Sequence, residues 1–166
     1  MSLIVCSQNQ VEAVLSLQRP THVVSLISPD ALAPQLGLPA ERHLVLRFND
    51  INAPQTGLTA PDQSMVADLI AFSDLCRPPS PLLLHCYAGV SRSPAAAYVI
   101  ACWRAGPGQE ASLAETLRRR SPTATPNPWL IALADAWLGR GGAMIEAITR
   151  LGRGANAFEG ETFSLS

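Results

Sequence analysis

The sequence predicts an α/β domain: one central, mostly parallel sheet of about four to five strands, flanked by helices. Three observations predict it. Short apolar runs of strand length (Leu3-Ile4-Val5-Cys6, His22 to Ile27, Leu44 to Phe48 and Leu82 to His85) alternate with longer segments of helical spacing, and strands joined by crossover helices pair in parallel. Proline, glycine and serine clusters fall mainly between these runs. A chain of 166 residues that is 48% hydrophobic is long enough for one good core and reads as a single domain.

The elements follow in order. After the first strand, Asn9 with Glu12 three residues later predicts a capped helix through about Gln18. The second strand, preceded by Thr21, ends at Ser28-Pro29-Asp30, and Asp30 opens a short helix or turn over Ala31 to Leu38 that Pro34 interrupts. The third strand leads into Asn49-Asp50 and the loop over 51–57. Thr59, Pro61 and Asp62 mark the start of a helix reaching Cys76, with the stripe Met65, Val66, Leu69, Ile70 and Phe72; Asp68 and Asp74 ride on it. Arg77-Pro78-Pro79-Ser80 stops it before the fourth strand.

A helix from Arg92 to about Arg104 is ended by Gly106-Pro107-Gly108, and another runs from Gln109 to Arg120. Its last residues, Arg118-Arg119-Arg120, read as a solvated end favoured by the helix dipole. Asn127-Pro128 is a cap and first-position pair for a helix whose face is Trp129, Leu130, Leu133, Trp137 and Leu138, with both tryptophans in the core and Asp135 structural. After Gly141-Gly142 a last short helix carries Met144, Ile145, Ile148 and Leu151. The expected domain is 1–152, with 153–166 a loose tail.

A net charge of −1 argues against a nucleic-acid or anionic-membrane partner, which would call for a basic excess. All twelve basic residues are arginine, which with abundant alanine and proline suggests a GC-rich bacterial genome. Cys6, Cys76, Cys86 and Cys102 show neither disulfide nor metal-ligand spacing, so the expectation is a reduced, cytoplasmic protein without metal or cofactor. The apolar stretch Pro94 to Trp103 is too short to span a bilayer. The oligomeric state is left open.

The chemistry concentrates in His85-Cys86-Tyr87-Ala88-Gly89-Val90-Ser91-Arg92-Ser93. If Arg92 opens a helix, the amides of Tyr87, Ala88, Gly89, Val90, Ser91 and Arg92 lie near the positive end of its dipole and can hold one anion. Gly89 permits close backbone approach, and the Arg92 guanidinium can grip two oxygens of a phosphate. The same field favours a thiolate at Cys86, placed to attack phosphorus. Expelling the leaving oxygen requires a proton that this loop does not supply, and Asp50, at a strand end where sites form in open α/β sheets, is the candidate acid.

The string His-Cys-x5-Arg-Ser resembles the signature of the cysteine-dependent protein tyrosine phosphatases, and His-Cys-x-Ala-Gly-x-Ser-Arg-Ser is most similar to their small dual-specificity branch. Thr21 to Leu26, the upstream aspartate and Thr125-Pro126-Asn127 fit that branch in order, over roughly residues 20 to 138. The resemblance implies an α/β phosphatase acting on phosphorylated protein or peptide, phosphotyrosine first and phosphoserine or phosphothreonine second. It implies that His85 orders the loop and that Ser93 donates to the departing thiolate. Rhodanese-like sulfurtransferases also cradle anions with a loop cysteine, but their typical loop is one residue shorter. A phospho-binding module without turnover usually lacks the cysteine, arginine or acid, and all three candidates are present here.

Overall fold

Strands β1 (Leu3–Ser7), β2 (His22–Ile27), β3 (His43–Arg47), β4 (Leu82–Cys86) and β5 (Phe163–Leu165) form one sheet in the order β3-β2-β4-β1-β5. The computed structural model describes residues 2–165. The first four strands are all parallel, with Ser7 opposite Cys86, Ser25 opposite His85 and Ile27 opposite Arg47. Their C-terminal ends therefore share one edge, and the segments beginning at Gln8, Ser28, Phe48 and Tyr87 gather there.

Both faces of the sheet are covered, which accounts for strands that are apolar at nearly every position. Alternation divides them. Val24, Leu26, Leu82, Leu84 and Cys86 face the larger cluster, packed with α2 (Gln63–Leu75), α3 (Arg92–Ala105), α5 (Pro128–Trp137) and α6 (Ala143–Leu151). Ile4, Cys6, Val23 and Leu83 face a smaller cluster under α1 (Val11–Gln18). Helix α3 is buried from Arg92 through Cys102, because α4 (Glu110–Arg120), α2 and α5 enclose the side turned away from the sheet. Among the described residues no helix is long and apolar enough to cross a membrane.

Local signals explain most boundaries. Asp62 caps α2 by accepting from the Met65 amide at 3.0 Å, and Asn127 caps α5 by accepting from the Leu130 amide at 2.9 Å, with Pro128 at the first helical position. Asp135 is buried and accepts from the Gly142 and Met144 amides, tying α5 to the start of α6. Arg118 donates to the carbonyls of Pro122 and Gly152, so one arginine of the run at the end of α4 is a structural clamp.

Four expectations are corrected. Asn9 does not cap α1: a 3-10 turn, Gln8–Gln10, precedes it, with Ser7 at the cap position and the Gln10 side chain accepting from the Ser7 amide at 3.1 Å. Ala31 to Leu38 forms no helix, since prolines 29, 34 and 39 divide the region; Leu36 and Leu38 instead lie over the smaller cluster. Trp137 is 40% exposed and rests edge-on against Trp103, because inward placement of Leu130, Ala134 and Asp135 turns it outward. Finally, 153–166 is not simply loose. Phe163 and Leu165 are buried where β5 pairs antiparallel with the free edge of β1, satisfying amides and carbonyls that an edge strand would leave open.

Candidate active site

The loop from Tyr87 to Ser91 connects β4 to α3, and its carbonyls are all but one engaged from outside. Tyr87 O accepts from the Gln8 amide at 3.2 Å, Ala88 O from Gly160 at 2.8 Å, Val90 O from Thr125 at 2.8 Å, and Ser91 O from Asn127 at 3.3 Å and Ala95 at 3.1 Å. In a trans peptide the N–H points opposite to the C=O, so bracing these carbonyls turns the amides of Ala88, Gly89, Ser91 and Arg92 the other way. Among the described residues, the amides of 87–91 donate to no other group. A row of unpaired amides at a helix N-terminus is an anion cradle.

Gly89 is required twice over. Its φ is +71°, and a Cβ there would stand 2.8 Å from the Ser7 nitrogen and 2.9 Å from the Cys6 carbonyl carbon. The loop is thus pressed against the end of β1. Gly160 closes the other side, where a Cβ would meet Gly89 O at 3.0 Å.

Cys86 ends β4 with only 3% of its surface exposed, and Ser93 Oγ, on the first turn of α3, donates to its Sγ at 3.1 Å. Arg92 is 5% exposed; its Nη1 donates to Phe48 O at 3.1 Å and to Ser28 Oγ at 3.4 Å, which fixes the guanidinium plane. Its Nε has no partner among the described residues. An oxyanion in the cradle would supply the missing acceptor. Tyr87 stands at the rim, 73% exposed.

Asp50 reaches the same place from another segment. Its Oδ1 accepts from Ser91 Oγ at 2.7 Å and from Asn127 Nδ2 at 2.8 Å, while Asn127 also donates to Ile51 O at 3.0 Å. The Asp50 carboxyl group is therefore tied to the cradle through Ser91 and to the start of α5 through Asn127. The other aspartates lie elsewhere: Asp62 caps α2, Asp74 accepts from the Trp103 indole at 3.2 Å, and Asp135 joins α5 to α6.

His85 is fully buried, and its Nε2 lies 2.6 Å from Ser25 Oγ, which in turn lies 2.7 Å from His43 Nε2. Burial, with His43 beside it, lowers the His85 pKa to about 4. The ring is neutral at physiological pH. Its Nδ1 has no partner among the described residues. Cys6 faces the smaller cluster while Cys86 faces the larger, on opposite sides of the sheet. Burial, with Cys86 and Glu159 nearby, pushes the Cys6 thiol up to about 12; it is an inert core group rather than a redox partner. All four cysteines are free, and among the described residues no three His, Cys, Asp or Glu side chains gather as metal ligands would.

No family model matches the chain, and no curated protein matches it in sequence. Solved structures do. DUSP15 aligns with a TM-score of 0.63 at 20% identity, covering 90% of this chain and 89% of that one. The fold is that of the dual-specificity phosphatases. The PTP-2 phosphatase of Cydia pomonella gives 0.63 at 20% identity over 81% of this chain and 84% of its own, and human DUSP28 gives 0.58 at 20% over 85% and 94%.

Within this dual-specificity phosphatase fold, the structure brings Cys86, Arg92, Ser93 and Asp50 together at one edge of the sheet, along with supports that sequence reasoning missed. Asn127 read only as a helix cap, although Thr125-Pro126-Asn127 was a signal that the segment belonged to the site. Gln8, Thr125 and Gly160 brace the loop through their backbone amides. Backbone contacts of that kind carry no residue-type signature.

Proposed function

We propose that the chain is a phosphomonoester hydrolase acting on phosphorylated protein side chains, phosphotyrosine first and phosphoserine or phosphothreonine second, through a cysteinyl-phosphate. The observation that carries this reading is the outward bracing of the loop carbonyls, which leaves a ring of inward amides above a buried cysteine. The phosphate rests on these amides and on Arg92. The Cys86 thiolate attacks phosphorus, and the bond to the ester oxygen breaks as Asp50 gives that oxygen its proton. With Oδ1 of Asp50 already accepting from Ser91 and Asn127, Oδ2 carries the proton. Water then attacks phosphorus, Asp50 takes up the water's proton, the S–P bond breaks, and Ser93 donates to the returning thiolate.

The burial of Cys86 supports phosphotyrosine, because a phenol holds its phosphate farther from the peptide backbone than a serine hydroxyl does. The free cysteines suit a reducing, cytoplasmic setting.

Hydrolysis of an aryl phosphate tests the scheme. Cys86→Ser should abolish it, and Asp50→Ala should lower kcat by about 10²–10⁴-fold for a poor leaving group. Rapid quenching of the wild type should trap phosphate on Cys86. Full activity in Cys86→Ser sinks the proposal.

A further inference from the structure

A cavity of about 770 Å³ adjoins the cradle, and Val90 and Ser91 line it. Ser91 is also the residue whose hydroxyl bonds Asp50, so the cavity opens on the side from which the proton is delivered. Asn52, two residues beyond Asp50, forms part of its rim, and its far wall is built from Ile148 of α6 and from Arg153, Asn156 and Phe158 of the segment leading to β5. An organic group attached to the leaving oxygen extends toward this side. The volume is in the range of roughly 300–1,000 Å³ that holds a compact organic ligand, more than a single phenol needs.

The lining has a definite charge. No Asp or Glu borders the cavity, and its one cation is Arg153. Arg119, Arg140 and Arg150 each pair with a glutamate, whereas Arg153 has no carboxylate within ion-pair distance among the described residues. Apolar surface comes from Val90, Ile148 and Phe158, and Phe158 is fully exposed. A site that encloses a detached small molecule buries most of it; an aromatic wall standing in solvent leaves a side through which a polypeptide can enter and leave.

We propose that this cavity receives the peptide segment flanking the phosphorylated residue, and that it selects an apolar residue accompanied by Asp or Glu. The apolar side chain packs on Ile148 and Phe158, and the carboxylate pairs with Arg153. This rests on the reading of the chain as a phosphatase of phosphorylated protein side chains.

The test compares two phosphotyrosine peptides of equal length, one with leucine and glutamate beside the phosphotyrosine and one with alanine and lysine there, using para-nitrophenyl phosphate as the control for chemistry. The wild type should favour the leucine–glutamate peptide in kcat/KM by roughly two- to fivefold, the upper range of an exposed charge pair. Arg153→Glu should erase or reverse that preference, and Phe158→Ala should weaken it, both leaving hydrolysis of the control within about twofold. Equal turnover of both peptides by the wild type overturns the proposal, as does a preference that survives Arg153→Glu. Hydrolysis of the control with no turnover of either peptide also overturns it, in favour of a small organic phosphomonoester. Wild-type protein inert toward the control overturns the phosphatase reading itself, a result distinct from the others.

Discussion

Ser25 Oγ lies 2.6 Å from His85 Nε2 and joins that ring to His43 at 2.7 Å on its other side. A serine hydroxyl has one proton to give, so when it donates to one ring it must accept an N–H from the other. If His43 gives its Nε2 proton to Ser25 and Ser25 gives its own to His85, the proton of neutral His85 is left on Nδ1. The hydroxyl, on β2, couples the tautomers of two histidines on the strands that flank it, β3 and β4.

That arrangement predicts acid sensitivity. His85 is neutral in the folded chain down to about pH 4 but titrates near 6.5 when unfolded. Protons therefore favour the unfolded state as pH falls below 6.5, and the stability lost by about pH 4 is roughly 3 kcal/mol. Urea unfolding at pH 7 and pH 4.5 should show a steeper loss in the wild type than in His85→Asn, which has no ring to titrate. Parallel losses in the two proteins count against it.

Ser93 should matter most in the second chemical step. A hydrogen bond to a charged group contributes about 1.5–3 kcal/mol, so Ser93→Ala, by removing the 3.1 Å donation to Cys86, should slow turnover about 10- to 100-fold. Stopped-flow mixing with an aryl phosphate should then give a burst of phenolate followed by a slow phase. A mutant without a burst places the loss in the first step instead.

Asn127 combines two tasks that separate by substitution. Asn127→Ala removes both the cap on α5 and the donor to Asp50, and should cost about 1 kcal/mol of stability or more. Asn127→Asp keeps an acceptor for the Leu130 amide but faces Asp50 with a second carboxylate. Its Tm should stay nearer the wild type while kcat falls, and the fall should be larger for phenyl phosphate than for an activated aryl phosphate, whose leaving group needs less help from an acid.

Gly89→Ala should unseat the loop. Its Cβ would crowd the backbone at the end of β1, at a φ of +71°, and strain of this kind costs about 1–3 kcal/mol. Inhibition by inorganic phosphate should weaken along with kcat/KM, since the amides that hold the anion are the ones displaced.

A fifth site lies far from the loop. Arg140 Nη1 is 3.4 Å from Glu110 Oε1, and both side chains are about 5% exposed. Arg140→Met leaves the buried Glu110 carboxylate without its cation, held only by the Gly108 amide at 2.8 Å, and should destabilise the protein by about 3–5 kcal/mol in urea, while the folded fraction retains normal kcat.

The grouping of Cys86, Arg92 and Ser93 was legible in the sequence because they are near neighbours in the chain, and local spacing alone brings them together. Asp50 was legible one step less directly, through its place at the end of a strand. The parallel sheet followed from the alternation of apolar runs with helical ones. Tertiary exchanges were not legible. Trp137 had the spacing of a core residue, but the need of Asp135 to reach the amides of α6 decided which way α5 turned. Phe163-Ser164-Leu165 is too short to announce a strand, and only the open edge of β1 makes it one.

That last strand sets an order of events during synthesis. Chains emerge at about 5–20 residues per second, so Asp50, Cys86 and Arg92 are available seconds before Gly160 and Leu165. In that interval the free side of β1 offers its unpaired amides and carbonyls to any other extended chain, and Ala88 lacks the amide that holds its carbonyl outward. A nascent polypeptide thus carries Cys86 and Arg92 before it can orient them, and the strand that covers the edge of β1 follows within three residues of the glycine that completes the cradle.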